Sequence, residues 1–442
     1  VLNAAAFDEN ISAGSLIATL NSSDPDTGNS FTYSLVAGSG SIDNDSFSIS
    51  GNNLTINSSP NYETKSSYSL RLRSTDQGGL FIEGEFTLLV NNLIEEISSA
   101  ASVTLPSDYQ NLILTGNSNV SGVGNSSDNS LTGNSGQNSL YGLAGNDQIF
   151  GLDGDDTLDG GLGDDTMNGG AGNDTFYVNS IGDFCSEAPG QGTDTVISSI
   201  GWALGNYIEN LTLIGSDNIN AWGNEWDNLL IGNDGDNVLN GNGGIDTMIG
   251  GLGDDKYIVD SLADIVMEHL NGGLDWVESS VNWVMGSNLE NLILTGGANL
   301  SGTGNALGNR IKGNIGDNIL DGGQGRDNLI GDAGADIFRF SNLPSYGAAG
   351  ADRILDFSGS SGDRLSISKA AFGITNASAS LINANSLGLA DALRTNNLFA
   401  YNTSNGHLYH NANGSAGSFG NGGIFAVLTN TALLQADWIN LY

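Results

Sequence analysis

Along residues 124–177, 223–258 and 304–339 one large apolar side chain recurs at every ninth position. The series runs Leu131, Leu140, Ile149, Leu158, Met167 and Phe176, then Leu230, Leu239, Met248 and Tyr257, then Ile311, Leu320, Leu329 and Phe338. A period of nine fits neither a helix face, which repeats every 3.6 residues, nor a long strand, which alternates every two. It predicts a three-residue strand with one inward side chain, followed by a turn, over and over. A single unit of this kind buries too little to be stable alone, so several must coil on one another. Residues 1–92 follow a different rule. Apolar and polar residues alternate in Ser15–Leu20, Phe31–Val36, Phe47–Ile49, Leu54–Ile56, Tyr68–Arg73 and Glu85–Val90, with Gly, Asn, Ser and Pro between them. About seven short strands in so short a stretch predict a β-sandwich.

The polar positions of the nine-residue units are as regular as the apolar one. All fourteen units begin with Gly and carry Asp or Asn at the sixth position. The fourth is Gly in eleven; Ser127, Trp226 and Leu307, the exceptions, each fall in the first unit of a block, where a cap is expected. Gly with Asp or Asn at such spacing predicts turns containing positive φ angles. A longer repeat is superimposed. Phe176–Leu211 aligns without a gap on Tyr257–Leu292, an offset of 81 residues or nine units. It places Asp183 on Asp264, Glu187 on Glu268, Asp194 on Asp275, Trp202 on Trp283 and Glu209 on Glu290. These acids are either exposed strand ends or further metal ligands, and the Trp pair is expected to pack.

Composition sharpens the picture. The 442 residues include 50 acids and 12 bases, a formal net charge of −38, and 38 of the acids are Asp. Asp is a poor helix former, so its excess points to turns and oxygen ligands. No Lys or Arg occurs between Arg73 and Lys256, an interval that holds 27 acids. Such self-repulsion opposes compaction unless cations neutralise it. The charge excludes nucleic acid and anionic membranes as partners, and no apolar run approaches the roughly 18 residues of a spanning helix. One cysteine, Cys185, excludes an intramolecular disulfide and is expected to be a buried thiol. No G-x-S-x-G, H-E-x-x-H or P-loop is present. Asp155-Asp156 and Asp164-Asp165 lie inside the turns, where metal ligation explains them better than acid–base chemistry. The chain therefore reads as not an enzyme. It starts at Val1 with no signal-peptide pattern, which reads as a processed or excised start.

Gly151-Leu-Asp-Gly-Asp-Asp-Thr-Leu-Asp159 and the two units after it resemble consecutive RTX nonapeptides, a Ca²⁺-binding repeat. The resemblance implies a parallel β-roll in which two nonapeptides complete one coil and Ca²⁺ sits between same-side turns. It implies Asp ligands at Asp147, Asp156, Asp165, Asp174, Asp246, Asp255, Asp327 and Asp336, with Asp147 paired to Asp165 and Asp156 to Asp174. The first two units of every block have Asn instead (Asn129, Asn138, Asn228, Asn237, Asn309 and Asn318). An amide brings no charge, so the block-one pairs are expected to be strongest and the Asn–Asp pairs of blocks two and three weaker or partly empty.

Residues 341–442 resemble the end of secreted RTX proteins, through Asp352-Arg-Ile-Leu-Asp-Phe357, Gly362-Asp-Arg-Leu-Ser-Ile367 and Trp438-Ile-Asn-Leu-Tyr442. This implies a β-rich cap bearing a signal for the type I secretion machinery. The first domain resembles a bacterial cadherin-like repeat through Asp8-Glu9-Asn10, Asp24-Pro-Asp26, Tyr62-Glu63 and Thr75-Asp76. That implies Ca²⁺ ligands at Glu9 and Glu63 towards the following linker, and at Asp24, Asp26 and Asp76 towards a preceding neighbour. The expected fold is all-β: a cadherin-like sandwich over 1–96, β-roll blocks over 97–177, 178–258 and 259–340, and a cap over 341–442. The expected function is a secreted, Ca²⁺-dependent adhesin, S-layer component or filament subunit of the bacterial surface or extracellular matrix, open to head-to-tail self-association. The alternative is the calcium-binding secretion tail of a larger exoenzyme or toxin.

Overall fold

A computed structural model describes residues 2–23, 30–343, 346–375, 378–385, 388–392, 394–414, 416, 418–430 and 433–442. It divides into two compact units, residues 1–152 with 159–166, and residues 153–158 with 167–442.

The first unit opens with a sandwich. One sheet orders the strands Ala6–Asp8, Phe81–Asn91, Ser67–Asp76 and Phe31–Leu35, the first pair parallel and the others antiparallel. The facing sheet orders Leu16–Thr19, Asn53–Ile56 and Phe47–Ser50. The alternation in Ser67–Asp76 turns Tyr68, Leu70 and Leu72 into a core with Phe7, Phe47, Leu54, Ile56 and Leu88. Full burial of each such side chain contributes roughly 1.5–3 kcal/mol. The intervening Arg71 and Arg73 reach Glu83 and Glu85 on the neighbouring strand. The same unit then begins to coil. Strands Glu96–Ser99, Asn111–Leu114, Ser130–Thr132 and Gln148–Asp153 stack in parallel, with Ile97, Leu112, Leu131 and Ile149 in one row.

In the second unit the coil runs through repeat and non-repeat segments alike. Thr175–Val178, Thr195–Ser198, Asn210–Leu213, Leu229–Ile231, Thr247–Ile249 and Ile265–Met267 pair in parallel. Phe176, Val196, Leu211, Leu230, Met248 and Val266 thereby form one column. A second ladder joins Val238–Asn240, Lys256–Val259, Trp276–Ser279, Asn291–Leu294, Arg310–Lys312 and Asn328–Ile330. A third carries Ser301–Thr303 through Ile319–Asp321 and Ile337–Phe340 to Arg364–Ile367. All fourteen eighth-position side chains are fully buried. Cys185 is buried as well, and burial pushes its thiol pKa up.

After residue 341 the second ladder continues through Asp352–Ile354 to Gly423–Leu428, then His407–His410, Phe399–Asn402 and Leu381–Ala384. Phe340, Phe372, Phe399, His410 and Phe425 pack together beneath it. Among the described residues the only α-helices are the four-residue segments Lys369–Phe372 and Leu389–Ala392. Otherwise the described fold is β throughout, with short strands coiling at the nine-residue period and a parallel β-roll over the repeats, as the RTX resemblance implies.

Candidate metal centre

Every sixth-position side chain is buried, none more than 3% exposed. In an Asp unit its Oδ1 accepts a hydrogen bond from the sixth-position backbone N–H one coil earlier. Asp147 N–H donates to Asp165 (2.8 Å), Asp156 to Asp174 (2.7 Å), Asn237 to Asp255 (2.7 Å) and Asn318 to Asp336 (2.8 Å), each step spanning 18 residues. Asn228 to Asp246 and Asn309 to Asp327 repeat the contact. Two nonapeptides therefore make one coil, and Asp147 meets Asp165 as Asp156 meets Asp174. The carboxylate folds back over the first residue of its own unit. A Cβ on Gly142, Gly241 or Gly322 would stand 2.0–2.2 Å from Oδ2 of Asp147, Asp246 or Asp327. That collision explains why the first position is invariably Gly.

The turns are of two kinds, and the sixth residue tells them apart. In all eight Asp units the fourth-position Gly is left-handed, with φ between 107° and 142°. The second position is left-handed too, even where it is Leu143 or Leu152. In the six Asn units neither position is left-handed. There the sixth Asn accepts from the second residue's N–H through Oδ1, as Asn237 does from Asn233 (2.8 Å). The second residue is itself Asn in all six: Asn125, Asn134, Asn224, Asn233, Asn305 and Asn314. Its amide N–H₂ spans two carbonyls of the preceding coil. Asn224 donates to Gly205 and Ile208, Asn305 to Gly286 and Leu289, and Asn314 to Thr295 and Ala298. Sixth-position amides add donors to Val120, Ile219 and Leu289. In an Asn turn, side-chain N–H groups meet the carbonyl oxygens and the polar groups are satisfied internally.

The Asp turns are not satisfied in this way. Oδ2 of Asp147, Asp174, Asp246, Asp255, Asp327 and Asp336 is buried with no hydrogen-bond partner. Burial pushes Asp147 and Asp336 up to about 7, Asp174 and Asp246 to about 6 and Asp255 to about 8, with neighbouring carboxylates adding to the rise. Asp327 is raised by burial and by the charge of Asp352. A buried carboxylate with one oxygen lacking a donor is costly in charged form. A hard divalent cation that takes six to eight oxygens relieves that cost and matches an all-oxygen donor set. The residues present fit Ca²⁺.

Other predicted residues are placed as follows. Glu9 is buried; its Oε2 accepts from Tyr62 N–H (2.8 Å) and its Oε1 from Leu93 N–H (2.7 Å). Glu63 is raised by partial burial and by the charges of Glu9, Glu95 and Asp108, so these acids gather where the sandwich meets its linker. Asp76 accepts from Leu80 N–H (2.9 Å) and caps the hairpin before Phe81–Asn91. Asp24 and Asp26 lie outside the described residues. Asp183, Asp194, Asp264 and Asp275 are buried rather than exposed strand ends. Asp183 and Asp264 each cap a local turn through Oδ2. Trp283 is buried and packs as expected. Two features escaped the sequence reading. The second-position Asn was legible as Gly-Asn-x-x-x-Asn in six units. Asp352 and Asp363, which receive the N–H groups of Asp327 and Asp336, were not, because steps of 25 and 27 residues break the period.

Four stretches match the RTX calcium-binding nonapeptide repeat: residues 123–158, 141–176, 222–265 and 303–338. The coil carries repeats of the RTX type. Such repeats bind Ca²⁺, and the chain's buried acidic groups offer several places to hold ions. No curated protein matches the chain. Among solved structures, the protocadherin gamma B7 extracellular cadherin domains 1–4 are similar at 20% identity and a TM-score of 0.18. That likeness covers 21% of this chain and 24% of the other.

Proposed function

We propose that this chain is a secreted, Ca²⁺-dependent structural or adhesive protein of the bacterial surface or extracellular matrix, whose roll folds on its ions after export. The eight sixth-position Asp residues, Asp147 to Asp336, are its ligands in the roll. Glu9 and Glu63, with Asp24, Asp26 and Asp76, are its ligands in a cadherin-like first domain over 1–96. Three roll blocks follow over 97–177, 178–258 and 259–340. Residues 341–442 cap the last coil and carry the type I export signal. The observation that supports this reading best is the contrast between the turns. Asn turns close on their own amides, whereas the turns of Asp147, Asp174, Asp246, Asp255, Asp327 and Asp336 each bury a carboxylate oxygen without a hydrogen-bond partner. In low Ca²⁺ the ionised Asp turns repel and the roll stays open, as export through a channel requires. In high Ca²⁺, ions that bind only the folded coil draw the equilibrium to it. The acids are thereby occupied in holding the scaffold, which supports a structural role over a catalytic one.

Hydrogen exchange tests this. Amides of the strands within 124–339 gain protection when millimolar Ca²⁺ replaces chelator, while the sandwich strands stay protected in both. Equal protection of the roll in both conditions refutes the reading. Head-to-tail assembly through the Asp76 end has its own test: sedimentation velocity shows larger species with Ca²⁺ than without, and a strictly monomeric chain rules it out.

A further inference from the structure

We propose that the two non-repeat segments each complete a cation site: Asp174 with Glu187 and Asp194, and Asp255 with Glu268 and Asp275. In both clusters one carboxylate oxygen from each member lies within 4.8 Å of the others. Ca²⁺ holds its oxygens at roughly 2.3–2.6 Å, so oxygens up to roughly 5 Å apart can touch the same ion. The matched repeats stop at residues 176 and 265. Glu187, Asp194, Glu268 and Asp275 thus lie beyond them, in the segments aligned by the 81-residue offset.

The construction of each site is distinct from that of an ordinary repeat turn. The backbone-to-carboxylate ladder continues into the segment, but its step lengthens to 20 residues: Asp174 N–H donates to Asp194 Oδ1 (2.8 Å) and Asp255 N–H to Asp275 Oδ1 (2.9 Å). The segment between supplies a third acid. Glu187 is drawn over the preceding turn, where its Oε1 accepts from the N–H groups of Gly169 (2.9 Å) and Gly170 (3.3 Å). Gly169 leaves the room for it, since a Cβ there would stand 2.3 Å from both Asp174 Oδ2 and Glu187 Oε1.

Asp174 and Asp194 are each 1% exposed, and Asp174 Oδ2, Asp194 Oδ2 and Glu187 Oε2 are buried without partners. Asp255 and Asp275, fully buried, repeat this with their own Oδ2 atoms. Among the described residues no ion pair involves any of the six acids. Three carboxylates so close, with open lone pairs and no ion pair, call for a cation.

The two sites differ in how their Glu is held. Phe176 stands in the first segment at the position that Tyr257 takes in the second, where the Tyr257 hydroxyl donates to Glu268 Oε1 and His269 N–H donates to Glu268 Oε2 (2.9 Å). Glu268 therefore enters the second site with both oxygens already engaged, so the first site binds more tightly.

The inference shares Asp174 and Asp255 with the calcium reading of the repeats and so rests on it; its test alters only the added acids. Ca²⁺ alone is titrated into the full, calcium-stripped chain, and bound ions are counted by equilibrium dialysis. Parent, Glu187→Gln, Glu268→Gln and the double variant are compared, with circular dichroism at saturating Ca²⁺ to confirm folding. Each single variant binds one ion fewer than the parent and the double variant two fewer. An unchanged count and unchanged affinities in all three variants overturn the inference and leave the repeat sites standing. A parent that binds no Ca²⁺ sinks both. Tyr257→Phe serves if a Gln variant does not fold: it keeps all six acids and releases Glu268 Oε1. It tightens one class of site, and unaltered binding overturns the second site.

Discussion

Asp147→Asn separates the charge of a sixth-position ligand from its shape. Asp147 is 1% exposed, accepts one backbone hydrogen bond through Oδ1 and leaves Oδ2 without a partner. Its folded pKa is pushed by burial from 3.8 to about 7. A group raised in this way holds its proton more tightly in the folded state. Without Ca²⁺ its contribution to stability is intact below about pH 4 and is lost as pH rises through about 7. Three units at ~1.4 kcal/mol each set a ceiling of about 4 kcal/mol, and screening by solvent near the turn reduces this to about 2 kcal/mol. The neutral amide keeps the Oδ1 contact and abolishes the titration. In calcium-free buffer the parent roll should therefore lose about 2 kcal/mol relative to the variant as pH rises from 4 through 7, so that it opens at a lower pH than the variant, while at pH 4 the two are close. In saturating Ca²⁺ the order reverses, because a charged ligand is gone. Circular dichroism across pH with and without Ca²⁺, with urea unfolding wherever the roll is folded, measures these effects. A variant that loses the same stability under every condition would refute the reasoning, because it would show that Asp147 acts through shape alone.

Further outcomes follow from the same geometry. Phe338→Ala empties a fully buried position in the column and should cost about 3–5 kcal/mol in Ca²⁺, read from denaturant unfolding. Leu152 is half exposed at φ 82°, so Leu152→Gly should stabilise the roll by ~0.5–1 kcal/mol, seen as a higher melting temperature. Asn237→Asp removes the amide donor to Ile219 (2.6 Å) and places a carboxylate in a turn that closes without one. In limiting Ca²⁺ the variant should be less stable to urea than the parent, by about 1–3 kcal/mol.

Much of this architecture is legible in the chain because the roll is periodic. The nine-residue spacing of Leu131 to Phe338 names the fourteen repeat residues of the inner columns, and the invariant first Gly records a steric limit set by the carboxylate or amide above it. The sandwich is legible from alternation for the ordinary reason that one face of each strand is buried. Sequence reading fell short where the period breaks. Val196 and Leu211 occupy the column between Phe176 and Leu230, yet their spacings of 20 and 15 residues hide them. Reading the Asn units as weakened Asp units also missed their chemistry. An amide does not merely lack charge. It carries two N–H donors, and here those donors occupy carbonyl oxygens of the preceding coil. Glu187 and Glu268 reach their sites across an irregular loop, whose path no local pattern encodes.

The central claim is that the Asp turns are folded only with their cations. Far-UV circular dichroism of the full chain, stripped of calcium at pH 8 and then titrated with Ca²⁺, tests it most directly. The claim predicts weak β signal at the start, confined to the sandwich and a minority of the remaining chain, and a steep cooperative gain as Ca²⁺ is added. A full β spectrum in excess chelator, unchanged by Ca²⁺, would contradict it.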